Sequence, residues 1–572
     1  MYAHASRQMK SVVAVLLLLH LLLPGVLVRA GEVEYRIVIE SDDPAPGMPD
    51  GSTIANVSRA VLNDHGHVAF LARVALAGGE STTVLYAQHD TGFQPVTMTG
   101  DILPGAASET TVIDEIMINN NGEVAFRAFS GSNSRVGIWT DAGGALRNVM
   151  IEGVVPPGPF DSNETWDATV DSPAFVFNDL GQVAFAATVA ASGRLPVGLW
   201  FNDQSGTSLI AVESGPAPAV ANSTMVSISQ IRAVSLNDIG EISFQATYTP
   251  NDQNVYPPAI WTGSPSAPQI SHAQCDLAPG TARLFTNFAQ GTVLTNSGVL
   301  AFSGILTESD CDGSVPNPTG IWAGPLGAPQ LLLRDGDDVP GLPSGATIGY
   351  TYQSNLALNG AGRLATWNTL DSPAPSPVSC VLWETDQGME ALVCDGDPIP
   401  GGGGVAFRDH GVPVFNAAGQ LAALGAADAS FSPDVLYIAD ADGVLHLIAM
   451  EDEEIELGPG DIRLITNYIG WESRQISGLE DGRPASFNEA GEAAFVGRFG
   501  GDSSVIVARL VPACPGDADG DGATTVSDFF ALSGNFGTLS GATRADGDLN
   551  GDGAVNVSDF FILSGDFGCP DN

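Results

Sequence analysis

The chain has 572 residues, enough for one large repeat domain plus a small module. Its formal charge is −45, Lys10 is its one lysine, and residues 31–572 carry about −48 (−45 minus the 3 cations of residues 1–30). Such a surface repels nucleic acid and anionic lipid, because binding phosphate needs clustered cations, and an apolar content of 44% argues against disorder.

Residues 1–30 read as a signal peptide. Arg7 and Lys10 precede an apolar run from Val12 to Val28, and Val28-Arg29-Ala30 offers a small-residue cleavage site. The rival is an uncleaved anchor, but the run from Val12 to Val28 is short for a span, and His20 and Pro24 interrupt it. The expected location is therefore extracellular or at the cell surface, with no membrane span after signal removal. The six cysteines are an even set in an exported chain and point to disulfides. Cys380 and Cys394 flank the turn Thr385–Gly388, Cys514 and Cys569 bracket the last module, and Cys275 is left with Cys311. There is no CxxC, which argues against zinc and thioredoxin-type chemistry.

From residue 34 to residue 510 the chain is repetitive. The stretch Asn63-Asp-His-Gly66-His-Val-Ala-Phe70 returns at Asn119–Phe126, Asn178–Phe185, Asn237–Phe244, Thr295–Phe302, Asn359–Thr366, Asn416–Ala423 and Asn488–Phe495. The turn glycines are Gly66, Gly122, Gly181, Gly240, Gly298, Gly362, Gly419 and Gly491, and so regular a period means a repeat architecture. Each unit holds four strand-like runs. In the second these are Val112–Ile118, Glu123–Phe129, Val136–Trp139 and Leu146–Ile151. Asn bonds its own backbone two residues on, and Gly supplies the left-handed residue that closes the hairpin. Apolar residues on both faces of the second strand, Val124 and Phe126 on one and Ala125 on the other, suit a sheet covered on both sides.

Four short strands per unit and eight units predict a mainly β fold, an eight-bladed β-propeller-like domain over 34–510. The strand–turn–strand order resembles the Ser-Pro-Asp-Gly repeats of periplasmic propeller proteins. That resemblance implies that the strand before the Asn turn is innermost and the Leu146–Ile151 type outermost. The repeats then start out of phase. Residues 35–41 are expected to complete the eighth blade beside 503–510. The frame itself resembles the tandem Asn-x-x-Gly-x-x-Ala-Phe repeats of exported or surface bacterial proteins, a resemblance that implies no defined activity.

A second motif, Gly-Asp-x-x-Pro-Gly, stands at Gly100–Gly105, Gly336–Gly341 and Gly396–Gly401, with Asp43, Asp276 and Glu456 at the acidic position of weaker copies; Val154 and Pro216 break it. Six carboxylates on one face would gather cations or a basic partner. The alternative, which we favour, is that each Asp organises its own turn. The third strands carry Tyr86, Trp139, Trp200, Trp261, Trp322, Trp383 and Tyr437. They are either sugar platforms or, the favoured reading, core between blades.

Residues 514–569 predict a small α module. Two calcium-type loops begin at Asp517 and Asp548, with hard oxygen ligands at positions 1, 3, 5 and 12, Gly at 6, a backbone carbonyl at 7 and, at 9, a residue that acts through water, a match to the EF-hand loop. The first offers Asp517, Asp519, Asp521, the Ala523 carbonyl, Thr525 and Asp528; the second Asp548, Asn550, Asp552, the Ala554 carbonyl, Asn556 and Asp559. Two Ca2+ ions are expected. A short apolar helix follows each loop, Phe529–Phe536 and Phe560–Phe567, stopped by Gly537 and Gly568. The arrangement resembles a type I dockerin, which implies calcium binding and a cohesin-like or cell-surface protein partner. Val526-Ser527 and Val557-Ser558 depart from the hydroxyl pairs of that family, and basic residues usual on its helices are absent. Calcium binding carries over, and cohesin binding does not carry over safely.

No GxSxG, HExxH, SxxK or Walker motif occurs, so no catalytic residue and no bound cofactor besides calcium is assigned. His65 and His67 flank one turn glycine and read as a solvated turn rather than a metal pair. The two longest repeat gaps, before Gly362 and Gly491, are where an enzyme would hide its site. The expectation is a non-enzymatic binding or assembly protein with a propeller platform, open to a carbohydrate ligand. The alternative is a polysaccharide-degrading hydrolase or lyase, or its accessory subunit in polysaccharide catabolism.

Overall fold

The computed structural model describes residues 33–569 except 90–91, 133, 170–174, 191–194, 229–233, 251–254, 308–317, 340–341, 343–345, 351–355, 372–378, 428–433, 459, 467–468, 472–479, 484, 511–513, 520–522, 541 and 552. The segment read as a signal peptide lies outside these residues. The chain divides into two compact units, Tyr35–Arg509 and one that holds the residues from Leu510 onward.

The large unit is an eight-bladed propeller. Its repeat begins with the turn. Asn63 Oδ1 accepts the backbone N–H groups of His65 and His67, and Gly66 at φ 71° closes the loop. The hairpin so formed joins Thr53–Leu62 to Val68–Ala75, and Ser81–His89 and Gly92–Met98 complete blade one. Blade two is Thr110–Ile118, Val124–Ser130, Arg135–Thr140 and Arg147–Ile151, close to the expected strands. Blades three to seven follow the same order and end on Gly206–Val212, Gln269–Ala273, Gln330–Arg334, Gly388–Cys394 and Leu445–Met450.

Blade eight closes the ring. The N-terminal strand Val33–Glu40 lies beside Asp502–Leu510, which lies beside Glu492–Phe499, so residues expected to complete this blade do so. The seam is tied by the Ser41 N–H to the Ser503 carbonyl at 3.0 Å and by Arg463 to Glu40 at 2.6 Å. At the innermost position this blade has, among the described residues, only the pairs Gly470–Val496 and Phe487–Ala493.

The motif's Phe faces the third-strand aromatic across the ladder in blades one to five. The rings stack, from Phe70 on Tyr86 at 5.1 Å to Phe244 on Trp261 at 5.4 Å and an interplanar angle of 6°. Tyr86, Trp139, Trp200, Trp261, Trp322 and Tyr437 are fully buried, so these aromatics are core and not sugar platforms. Four indoles also reach out of their own blade's ladder. Trp139, Trp200, Trp261 and Trp322 donate Nε1–H to the carbonyls of Pro104, Pro157, Pro218 and Pro279 in the loop that enters their blade. Blade six departs from the expected register. There Leu382 faces Thr366 and Trp383 faces Ala365, one residue out of step.

The smaller unit holds two helices, Val526–Asn535 and Val557–Asp566. They begin three residues before the expected starts. Thr525 and Asn556 are N-caps, and Asp528 and Asp559 return the bond in capping boxes, so the helix runs back to the cap. Gly537 and Gly568 follow the ends in the left-handed conformation. Ala518, Leu532, Leu549, Val555 and Leu563 form the small core. The disulfides Cys380–Cys394 and Cys514–Cys569 are both present, as expected. Cys275 is disulfide-bonded, and Cys311 lies outside the described residues.

Candidate functional site

Three places could hold a site: the propeller axis, the loops between blades, and the loops of the C-terminal unit.

At the axis the Asn of each turn reaches its neighbour. Asn63 Nδ2 donates to the Asn119 carbonyl, Asn119 to that of Asn178, Asn178 to that of Asn237, and Asn237 to that of Thr295, at 2.8–3.2 Å. Asn359 donates to Asn416, Asn416 to Asn488, and Asn488 back to Asn63. Thr295 has no amide to pass on; its hydroxyl pairs with Ser297 instead. These side chains are buried, and through them the turn residue of one blade satisfies a carbonyl of the next.

The following residue builds a second circle. The Asp64 N–H meets Asn120 Oδ1, the Asn120 N–H meets Asp179, the Asp179 N–H meets Asp238, and the Asp238 N–H meets Asn296. The Ala417 N–H meets Glu489, whose own N–H meets Asp64. Gly360 of blade six has no side chain to offer. Glu480, from the insertion in blade eight, takes that place and accepts the Asn296 N–H at 2.8 Å. Burial, then the nearby Asp179 carboxylate, pushes the Asp238 carboxyl up to about 7. Burial, with Asp64 and Glu480 close by, does the same to Glu489.

The insertion before Gly491, the longest gap in the repeats, runs into the axis. The Phe177 N–H donates to the Gly482 carbonyl, the Leu236 N–H to that of Asp481, and the Leu62 N–H to that of Ala485. Arg483, buried, pairs with Asp481 at 2.8 Å and donates to the Val234 and Thr292 carbonyls. Ser486 donates to the Ala60 carbonyl. Residues of this plug thus bond to blades one, three, four and five. In the insertion where an enzyme would hide its site, the described residues 480–483 and 485–486 form a plug, and the groups named here are spent on strand carbonyls and amides.

The loops between blades are turns first. Asp101 accepts the Met98 N–H, Asp276 that of Ala273, Asp397 that of Cys394 and Asp43 that of Glu40, at 2.7–2.9 Å. Asp337 pairs with Arg334. Each acidic residue organises its own loop, as favoured. Two positions need correcting. The repeated main-chain pair here, such as Thr110 N to Asp101 O, recurs as Ile465 N to Glu453 O and Met225 N to Gly215 O, so Glu453 and Gly215 occupy the acidic position, not Glu456 and Pro216. In blade eight the cause is an added hairpin, Glu454–Gly458 with Asp461–Leu464, inside the loop.

Among the histidines, His410 lies inside blade seven against Phe407 and the Tyr437 hydroxyl, and burial pushes its imidazole down to about 4. His65 and His67 give their main-chain N–H groups to Asn63, in keeping with a turn.

In the C-terminal unit, Asp517, Asp519 and Asp528 bring ligand oxygens within 4.8 Å of one another, a group able to hold a metal ion. Cys514, Cys569 and Asp566 form a second such group, but its sulfurs are joined in the disulfide. Asp528 Oδ1 accepts the N–H groups of Ala518 and Asp519, and Oδ2 that of Thr525. Asp559 repeats this with Leu549, Asn550 and Asn556. In the second loop Gly551 and Gly553 have positive φ, and the Gly553 N–H donates to Asp548 Oδ2 at 2.7 Å. Ala523, Thr525, Ala554 and Asn556 stand in the same two loops; Asp521 and Asp552 lie outside the described residues. The two halves are joined at matching positions: Thr524 pairs with Gly568 and Cys569, and Val555 with Gly537 and Thr538. The donor set is hard oxygen, which suits a calcium-sized cation.

The large unit therefore defines an eight-bladed β-propeller with a plugged axis. The chain belongs to a family of unknown function, DUF7453, whose profile matches residues 25–365 and again 129–515. No curated protein matches it. Among solved structures it is similar to an acylaminoacyl peptidase of Pyrococcus horikoshii, at 10% identity and a TM-score of 0.33 over 69% of this chain and 52% of that one. It is also similar to oligopeptidase B of Leishmania major, at 10% identity and a TM-score of 0.34 over 69% of this chain and 48% of that one. The chain spans about half the length of these two proteins, and neither likeness bears on function. Among the described residues no helix is long and apolar enough to cross a membrane.

Proposed function

We propose that this protein is an exported or cell-surface binding and assembly protein without catalysis of its own. The propeller, 34–510, is a platform for a ligand or partner, a carbohydrate among the candidates. The module 514–569 is a dockerin-like, calcium-dependent attachment unit that meets a protein partner. The observation that carries this reading is the duplicated loop with its capped helix. Asp517, Asp519, Asp521, the Ala523 carbonyl, Thr525 and Asp528 would hold one Ca2+, and Asp548, Asn550, Asp552, the Ala554 carbonyl, Asn556 and Asp559 the other. The ion supplies the charge that lets several carboxylates share one small loop. A non-catalytic propeller is supported by the described part of the plug, where Asp481 and Arg483 are bonded to each other and Arg483 to the carbonyls of two blades.

Titration calorimetry of the whole protein with calcium tests the attachment unit, with about two ions per chain expected from two loops. Absence of calcium binding would refute it. Incubation with plant and algal polysaccharides tests the platform reading, and turnover would favour the rival, a polysaccharide-degrading enzyme.

A further inference from the structure

We infer that Arg544 is a positioning residue for the first of the two calcium loops. This rests on the calcium reading of the two loops. Arg544 opens the 3-10 turn Arg544–Asp546, between the first helix and the second loop. Its Nε donates to the Asp517 carbonyl at 2.9 Å, and its Nη2 to the carbonyls of Cys514 and Pro515 at 3.1 and 2.9 Å. A planar guanidinium with fixed donors so gathers three carbonyls of the turn that enters loop one, ending at its first ligand.

The turn that presents Arg544 is itself fixed. Thr543 and Asp546 form a capping box around it, and the Gly547 N–H closes on the Arg544 carbonyl at 2.8 Å. Asn535 of the first helix donates to the Asp546 carbonyl and to its own Ala531 carbonyl. The first helix holds the turn, the turn holds Arg544, and Arg544 holds the entry to the loop that begins that helix. These three bonds of Arg544 all reach the entry to loop one, so the two sites should differ in how far they depend on it.

Two effects of Arg544 on a bound cation oppose each other. Its charge, near Asp517 and Asp528, repels calcium; its hydrogen bonds shape the loop. Calcium binding at saturating salt reads the second with the first largely screened. The test is calorimetry on the full-length protein in backgrounds that leave one loop intact, Asp548→Ala for loop one and Asp517→Ala for loop two. In the Asp548→Ala background, Arg544→Gln should weaken calcium about 10-fold, the range for a residue that orients a metal ligand, and Arg544→Lys should recover part of that loss. In the Asp517→Ala background Arg544→Gln should change it less than about 2-fold by the same reasoning. Unchanged or tighter binding in the first background would overturn the clamp alone. Equal weakening in both would mean general loss of the module's fold and would also overturn it. A wild type that binds no calcium would overturn the loops' reading and the clamp together.

Discussion

The side-chain amide of Asn488 donates to the carbonyl of Asn63 at 2.9 Å, a bond between residues 425 positions apart in the chain. It joins the last turn of the propeller to the first. It is the same bond that each earlier Asn makes to the turn after it, so the ring closes with the device that builds it.

Asn488→Ala should therefore leave the Asn63 carbonyl with the Gly66 N–H alone and leave the Glu492 N–H without the acceptor that closes its turn. The expected cost is about 1–3 kcal/mol, read by urea denaturation. The converse holds at the gap in the circle. Thr295→Asn offers the missing amide to blade six and should stabilise by about 1 kcal/mol, the net worth of one hydrogen bond.

Glu489 gives a pH signature. Its folded-state pKa is raised to about 7 from an ordinary 4.5, so the folded protein holds a proton that the unfolded chain has released. Stability from this group is full below about pH 4 and is lost as pH rises through 7. Glu489 Oε2 accepts the Ala417 N–H, while its buried Oε1 has no hydrogen-bond partner. Glu489→Gln keeps the acceptor and removes the charge. It should stabilise by about 1–2 kcal/mol at pH 8 and by nothing at pH 4, as melting curves across that range would show.

Arg483→Ala breaks a buried pair and leaves the Asp481 carboxylate and the Val234 and Thr292 carbonyls to face each other without its guanidinium. It should cost about 3–5 kcal/mol. Adding Asp481→Ala should cost less than the sum of the two single changes, since the orphaned charge is gone. Thermal denaturation of the three variants checks this double-mutant cycle.

Deleting residues 33–40 removes the outer strand of blade eight, with the Arg463–Glu40 pair and the Tyr35 hydroxyl bond to the Ile448 carbonyl. The melting temperature should fall sharply. An unchanged melt would mean that the seam adds nothing.

Much of the propeller was legible because its signals are local. Asn63 and Gly66 shape one turn, and Phe70 and Tyr86 meet through a two-residue side-chain period. The register slip of blade six was hidden, because Thr366 and Trp383 each look like ordinary members of their columns. So was the second role of Asn, since a side chain that caps its own turn gives no sign of a further bond to a neighbour. In the sequence, acidic residues stand out in the Gly-Asp-x-x-Pro-Gly loops. The two carboxyls that burial pushes up to about 7, Asp238 and Glu489, lie at the other end of the innermost strand, each following the motif's Asn; that pattern was present in the repeats and could have been read. Glu480 and Arg483 could not have been. Their segment has no period, and its partners are backbone groups of distant strands. In the loops that begin at Asp517 and Asp548 the spacing of oxygen donors was plain, whereas Arg544 acts through carbonyls that any residue would supply.

The plug changes how the repeats fail. Blades that touched only their neighbours would melt as a linear array, with stability added unit by unit and fraying from either end. Because Asp481, Gly482, Arg483, Ala485 and Ser486 are bonded to blades one, three, four and five, opening one of these blades strains contacts with the others. The propeller should unfold in a single cooperative transition, and a partly opened ring should be a scarce species.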